Sequence, residues 1–266
     1  MKTKSALSWF GSDAAVAPEL GTLFDHCDHV TIGFVGGASL IPFLKARAII
    51  ANDLDRLAIT FYRVLAGRTG SKDRLIELCE RTLSHPAEVD TAEYVLRNTS
   101  TTDATTVAWA FWVVCWLKRK GSGGTSRQGR GLSYRWTARG GTNATRIRSA
   151  ANGLHEWSKE CERCEWSDMS FRELHPKIKD QQGCGLYDDP PWVEDGKRYL
   201  HPFTEQDHRD LATEHNRFQH TTVVVRYGDH PLIRELYPED KWGWMVRESR
   251  TQANKQKREV WITNGR

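Results

Sequence analysis

The chain has 266 residues, of which 39% are hydrophobic and 27% charged, so it is long enough to bury a core and has the composition of a globular protein. It contains no run of about 18 apolar residues, and its N-terminus lacks the apolar core of a secretion signal. We therefore expect a cytoplasmic protein without a membrane span, whose six cysteines are reduced thiols. Cys161 and Cys164 form a C-x-x-C, but no second pair at zinc-site spacing accompanies them, so we expect no metal.

Short apolar, β-branched runs alternate along the chain with segments of helical period. The apolar runs predict strands over 29–35, 46–52, 183–188 and 221–227. The helical pattern predicts helices over 54–67, 72–83, 103–117 and 204–218. The C-terminal tail predicts two more strands joined by a polar loop, as a hairpin at the edge of the sheet. This order predicts an α/β fold with a mainly parallel sheet, in which ligands bind beyond the carboxyl ends of the strands.

The stretch 118–145 interrupts this alternation and is rich in glycine and in basic residues. No Asp or Glu occurs from Lys118 to Arg148. The composition predicts a flexible basic insertion containing one hairpin. Its charges either contact the phosphates of a nucleic acid or are simply solvated. The candidate DNA-binding residues are Lys118, Arg119, Lys120, Arg127, Arg130, Arg135 and Arg139.

A glycine-rich turn, Phe-Val-Gly-Gly-Ala-Ser over 34–39, follows the first predicted strand. Glycines let the backbone turn tightly and approach a ligand closely, because no Cβ intrudes. Asp53 ends the next predicted strand, where an acidic group can bind ribose hydroxyls. The two features together predict a site for a nucleoside-bearing cofactor. Alternatively, Asp53 is the N-cap of the following helix, a role that Asn52 could fill equally well.

The segment Tyr-Asp-Asp-Pro-Pro-Trp over 187–192 follows another predicted strand. Pro190 and Pro191 fix the backbone and remove two N–H donors, so a carbonyl faces outward beside the Asp189 carboxylate. Two acceptors held side by side suit an exocyclic amine, and Trp192 offers a face on which a base can stack. The segment therefore predicts a reader of the amino group of adenine or cytosine. The alternative is a Pro-Pro turn with a buried tryptophan.

The order of these motifs resembles that of the Dam-type adenine-N6 DNA methyltransferases. The segment 7–12 is similar to the N-terminal cofactor motif of that family, with its aromatic residue at Trp9. Segments 34–39 and 51–65 resemble the family's glycine-rich loop and the helix that follows its acidic strand end. Segment 187–192 resembles its catalytic motif, with Trp192 where Tyr is commoner, and 203–212 and 257–264 resemble its later helix and closing strand. The chain departs from the family at Asp13, Ile32, Gly33 and Asp55, where Lys, an acid, Pro and Asn are usual.

The resemblance implies a Rossmann-like S-adenosylmethionine methyltransferase fold with an inserted DNA-recognition region. Residues 1–117 and 146–266 would form the catalytic domain, and 118–145 part of the target-recognition region. The implied reaction moves a methyl group from S-adenosylmethionine to N6 of a flipped adenine in double-stranded DNA. The implied catalytic residues are Asp189, Pro190, Pro191 and Trp192. The implied cofactor-binding residues are Trp9, Phe34, Gly36, Gly37, Asp53 and Asp189.

Two other functions stay open at this point. The first is methyl transfer to N4 of cytosine or to adenine in RNA, because Asp-Pro-Pro-Trp also occurs in a separate family that modifies messenger RNA. The second is a nucleic-acid-binding protein that keeps the fold but binds the cofactor weakly, which Asp13 and Ile32 suggest. A restriction endonuclease partner would also fit the resemblance.

Overall fold

The computed structural model describes residues 5–67, 72–127, 129–134, 141–194, 196, 199–250 and 256–265. These residues form a seven-stranded sheet, with strands β1 His29–Ile32, β2 Ala48–Asn52, β3 Cys164–Ser167, β4 Cys184–Asp188, β5 Thr222–Gly228, β6 Gly243–Arg250 and β7 Gln256–Thr263. The strand order is β3-β2-β1-β4-β5-β7-β6. The first five strands are parallel, and β7 runs antiparallel to both β5 and β6. The predicted Rossmann-like α/β fold with a C-terminal antiparallel hairpin is confirmed.

Ten helices lie among the described residues: α1 Ala17–Thr22, α2 Arg56–Leu65, α3 Lys72–Arg81, α4 Pro86–Arg97, α5 Ala104–Leu117, α6 Asn143–Ala151, α7 Leu154–Glu162, α8 Phe171–Leu174, α9 Glu205–Asn216 and α10 Pro231–Leu236. The four predicted helices correspond to α2, α3, α5 and α9. The sequence did not predict β3 or the helices α1, α4, α6, α7, α8 and α10. As expected, α9 begins with a capping box, in which Thr204 and Asp207 bond to each other's backbone N–H groups.

The helix α5 lies at the centre of the group of helices that the chain forms after β2 and before β3. Asp103 caps its N-terminus, accepting a hydrogen bond from the backbone N–H of Thr106. Eleven of its fourteen residues are buried, as expected of a helix that is apolar on every face. It packs against α2, α3 and α4, so the helices that the chain inserts after β2 share one core with the sheet.

Side chains along the central strands alternate between two hydrophobic cores, one on each face of the sheet. In β4, Tyr187 joins the larger core and Leu186 the smaller one. Trp192, just beyond β4, belongs to the smaller core. No helix in the described part of the chain is long and apolar enough to cross a membrane.

The register of the parallel strands places three chemically distinctive segments at one edge of the sheet. Ile32 of β1 lies level with Ala51 of β2 and with Tyr187 of β4. The residues that follow each of these positions therefore leave the sheet side by side. The glycine-rich turn, the end of β2 and the Asp-Pro-Pro turn meet there, as the sequence predicted.

Candidate active site

A cleft opens at this edge of the sheet. Gly36 of the glycine-rich turn, Asp53 after β2 and Asp189 after β4 all line it, together with Trp9 from the N-terminal segment. The segment 199–203 forms another wall of the cleft. The structure thus brings together the predicted cofactor residues and the predicted catalytic carboxylate.

The glycine-rich turn packs tightly against Trp9. Gly36 has φ of +49°, a conformation that favours glycine, and a Cβ built there would lie 2.7 Å from the indole Nε1 of Trp9. The Gly36 carbonyl accepts a hydrogen bond from the Tyr62 hydroxyl at 2.9 Å. Phe34 also lines the cleft, whereas Gly37 lies against the Cβ of Trp9 and is buried. Glycine at 36 is therefore a steric requirement of this turn.

The Asp53 carboxylate is held by the backbone on both sides. Its Oδ2 accepts from the Gly36 N–H at 2.9 Å, and its Oδ1 accepts from the Asp55 N–H at 2.8 Å. Burial raises the pKa of Asp53 to about 6. The N-cap of α2 is Asp55, which accepts from the Leu57 N–H, so the alternative role of Asp53 as N-cap is wrong. Asp53 instead faces the cleft with its carboxylate fixed in place.

Asn52, which the sequence offered only as a possible cap, joins the ends of three strands. Its amide nitrogen donates to the carbonyls of Gly33 and Met169, both at 2.9 Å. Its carbonyl oxygen accepts from the Ser167 hydroxyl and the Met169 N–H. The side chain is buried, so these bonds fix the spacing between β1, β2 and the segment after β3.

The Asp-Pro-Pro turn presents its carboxylate to the cleft. Asp189 and Pro191 line the cleft, and Pro190 between them is buried. Asp189 Oδ1 accepts from the Trp192 indole N–H at 3.1 Å, and Oδ2 accepts from the Arg226 Nη1 at 2.8 Å. Burial raises the pKa of Asp189 to about 6, although Arg226 acts in the opposite direction. The two hydrogen bonds hold the carboxylate in one orientation.

Trp192 does not lie where a stacking role would require it. Its side chain is buried in the smaller core, and it is not among the residues that line the cleft. The guanidinium of Arg226 sits over its ring, 5.2 Å from the centroid. This placement matches the alternative of a Pro-Pro turn with a buried tryptophan, and the indole N–H of Trp192 bonds to the Asp189 carboxylate. The aromatic residues that do line the cleft are Trp9, Phe34, Phe171, Tyr199 and Phe203.

A fully buried network lies directly behind the turn. The Asp188 carboxylate is 2.7 Å from Nε2 of His215 and 3.0 Å from Nε2 of His175. Nδ1 of His215 is 2.8 Å from the Tyr237 hydroxyl. Burial alone would raise the pKa of Asp188, but the two imidazoles hold it well below its usual range. The network ties the end of β4 to α9 and so anchors the turn that carries Asp189.

The departures from the family pattern are explained in part by this network. A Cβ at position 33 would lie 2.0 Å from Asp188 Oδ1, so only glycine fits beside this buried carboxylate. Ile32 is buried in the larger core. Asp13 accepts a hydrogen bond from the Tyr187 hydroxyl at 3.2 Å, and burial raises its pKa. The positive charge of Arg226 lowers the pKa of Asp13 and so opposes the effect of burial.

The first part of the basic insertion packs against Trp9, on one side of the cleft. A Cβ at Gly123 would lie 2.3 Å from the Trp9 ring, and the backbones of residues 9 and 123 form a bridge. Lys118 pairs with Glu93, and Arg127 pairs with Asp55 at 2.7 Å. These two cations therefore stabilise the fold rather than face solvent.

The other cations of the insertion are placed differently. Arg119, Lys120 and Arg130 are exposed, as is Tyr134 nearby. The remaining two predicted contacts, Arg135 and Arg139, lie outside the described residues. A DNA-binding role for the exposed cations stays a prediction.

No protein-family model matches the chain, and no curated protein matches it. Among solved structures it is similar to an O-methyltransferase from Bacillus cereus in complex with SAH. The two are 8% identical, the match covers 96% of this chain and 81% of that chain, and the TM-score is 0.40. A likeness this distant assigns neither a site nor a substrate.

Proposed function

We propose that this protein transfers a methyl group from S-adenosylmethionine to N6 of adenine in double-stranded DNA. The observation that carries the proposal is the shared cleft, in which the glycine-rich turn and Asp53 lie together with Asp189. One side of such a cleft suits a nucleoside, and the other suits an amine. The motif order in the sequence supports the choice of adenine in DNA.

The residues present fit S-adenosylmethionine. Asp53 offers a fixed carboxylate to ribose hydroxyls, and the exposed Leu54 beside it offers an apolar surface to a purine ring. Gly36 keeps the backbone of the turn free of a Cβ where a ligand must approach. When bound, this cofactor supplies an electrophilic methyl group on a sulfonium sulfur and is left as a neutral thioether.

Asp189 is the residue that would act on the amine. An ionised carboxylate accepts about four hydrogen bonds, so the two oxygens bound by Trp192 and Arg226 can each accept one more. One such bond, with another to the carbonyl of Pro190, would orient the amine and favour a pyramidal nitrogen. An amine held in this way would have its lone pair free to take the methyl group that the bound cofactor would supply. The Asp189 carboxylate would be close enough to accept the proton that the nitrogen then loses. Alignment is the main source of rate in such a direct transfer.

A base inside a duplex is out of reach of this cleft, so the adenine must be flipped out at a cost of a few kcal/mol. The exposed cations Arg119, Lys120 and Arg130 lie on the insertion that borders the cleft at Gly124. They would contact DNA phosphates, and binding through them should weaken as salt rises.

The proposal is tested with S-adenosylmethionine labelled on its methyl group. The protein is incubated with unmethylated DNA or with RNA, the nucleic acid is digested to nucleosides, and the labelled nucleoside is identified. Label on N6-methyldeoxyadenosine from DNA is the expected result. Label on N4-methyldeoxycytidine or in RNA would reassign the substrate. No label, together with no heat of cofactor binding by calorimetry, would leave a nucleic-acid-binding protein with this fold.

A further inference from the structure

Arg226 of β5 is a buried cation directly behind the cleft. Only 8% of its side chain is exposed, and it is not among the residues that line the cleft. Its Nη1 donates to Asp189 Oδ2 at 2.8 Å and to the Gly11 carbonyl at 3.3 Å, and its Nη2 donates to Glu259 Oε2 at 2.9 Å. A guanidinium removed from water to this extent is costly unless it is paired, so its partners define its role.

The contacts of Arg226 fix the orientation of the catalytic carboxylate. Oδ2 of Asp189 is bound by Arg226, and Oδ1 is bound by the Trp192 indole N–H at 3.1 Å. The guanidinium also covers the Trp192 ring. Asp189, Trp192 and Arg226 therefore contact one another, and both oxygens of the carboxylate are bound in the orientation that faces the cleft.

The charged groups around Arg226 also indicate that it acts on the Asp189 carboxylate. Three carboxylates face its guanidinium: Asp189 from the end of β4, Asp13 from the N-terminal segment and Glu259 from β7. Burial raises the pKa of Asp189, Arg226 lowers it, and the neighbouring Asp13 raises it further. Tyr187, on the same strand as Asp189, donates its hydroxyl to Asp13. Arg226 is therefore the main group that opposes protonation of Asp189.

We propose that Arg226 is the positioning residue of the active site: it orients the Asp189 carboxylate toward the cleft and keeps it ionised, ready to accept the amine protons. Its link to methyl transfer rests on the function proposed above. Its effect on the carboxylate is a property of the protein alone and can be measured without substrate.

The test compares Arg226→Met and Arg226→Lys with the wild type in the full-length protein. Arg234→Met is the matched control, because Arg234 also covers a tryptophan, Trp244, and pairs with two carboxylates. Protein labelled with ¹³C at the aspartate Cγ gives the titration midpoint of Asp189 by NMR, and its signal is assigned by its loss in Asp189→Asn. The single-turnover rate of methyl transfer is then followed against pH.

We expect the Asp189 midpoint to rise by at least about one pH unit in Arg226→Met, because an opposite charge at this distance typically shifts a carboxyl group by about one to three units. The acid limb of the rate profile should move by the same amount, and Arg234→Met should move neither. Arg226→Lys keeps the positive charge but lacks the planar guanidinium, which donates to two acceptors in a fixed geometry. Its midpoint should stay near that of the wild type while its maximal rate stays low.

An unchanged midpoint in Arg226→Met would overturn the inference, whatever the activity. If Arg226→Met fails to fold, Arg226→Lys decides: a wild-type maximal rate there would overturn the orienting role. A wild type that transfers no methyl group would overturn the proposed function instead. In that case a raised Asp189 midpoint in Arg226→Met would still show that Arg226 favours the ionised form of the Asp189 carboxylate.

Discussion

Replacing Asp189 by Asn should abolish methyl transfer and yet stabilise the fold at alkaline pH. The folded-state pKa of Asp189 is about 6, because burial disfavours the charged form, and the unfolded value is about 3.9. A difference of about two units corresponds to about 3 kcal/mol of destabilisation once the group is ionised. Asn lacks the charge and keeps only one acceptor oxygen, so either Arg226 or the Trp192 indole N–H loses its acceptor, which offsets about 1 kcal/mol or more. We therefore expect the variant to be about 1 to 2 kcal/mol more stable at pH 8.

The sign of the pH dependence follows from the raised pKa. The folded state binds the Asp189 proton more tightly than the unfolded state, so this group costs the wild type stability as pH rises from about 4 through about 6. The gap between variant and wild type should be small at pH 4 and full at pH 8, as measured by urea denaturation. Asp188→Asn is the control with the opposite sign, because it breaks a buried pair with two histidines and should lose about 3 kcal/mol or more. A destabilised Asp189→Asn at pH 8 would refute the reasoning.

Two further substitutions and one pH profile have definite expected outcomes. Gly33→Ala places a Cβ 2.0 Å from the Asp188 carboxylate and should cost more than about 2 kcal/mol in urea denaturation; a neutral effect would contradict the packing described. Gly123→Ala pushes a Cβ into the Trp9 ring and should weaken S-adenosylmethionine binding at least about tenfold by calorimetry, and unchanged affinity would remove Trp9 from the cofactor site. The wild-type single-turnover rate should fall about tenfold per pH unit below about pH 6, as Asp189 is protonated, and a flat profile down to pH 5 would exclude that carboxylate.

The fold could be predicted because its central strands are unusually clear in the sequence. The β4 and β5 runs are mainly apolar, because both faces of these strands are buried. The edge strand β3 is short, and beyond Cys164 its side chains are exposed or half-buried, so it carries no such signal. The helices α6 and α7 present mixed polar surfaces next to the glycine-rich insertion, where composition indicates a loop.

The candidate site was predictable only where backbone chemistry fixes it. Strand ends and glycines located Asp53, Gly36 and Asp189 correctly in one cleft, because parallel strands end at the same edge. The direction of Trp192 after two prolines depends on tertiary packing, which no local pattern reveals. A lone arginine within the apolar run of β5 was the available signal for Arg226, since a cation in a buried strand must have a partner. Asp13 lies near the N-terminus, far from Arg226 in the sequence, and no local pattern indicated that it would lie near the charge of Arg226.

The most direct test of the account is single-turnover methyl transfer by wild type and Asp189→Asn at saturating S-adenosylmethionine and pH 8. We expect wild type to label adenine in DNA and the variant to lose at least about a thousandfold in rate, because the amine loses its charged acceptor. Cofactor affinity should stay within about threefold. A variant that transfers methyl groups at a near wild-type rate would contradict the assignment of Asp189, and with it the mechanism proposed for this cleft.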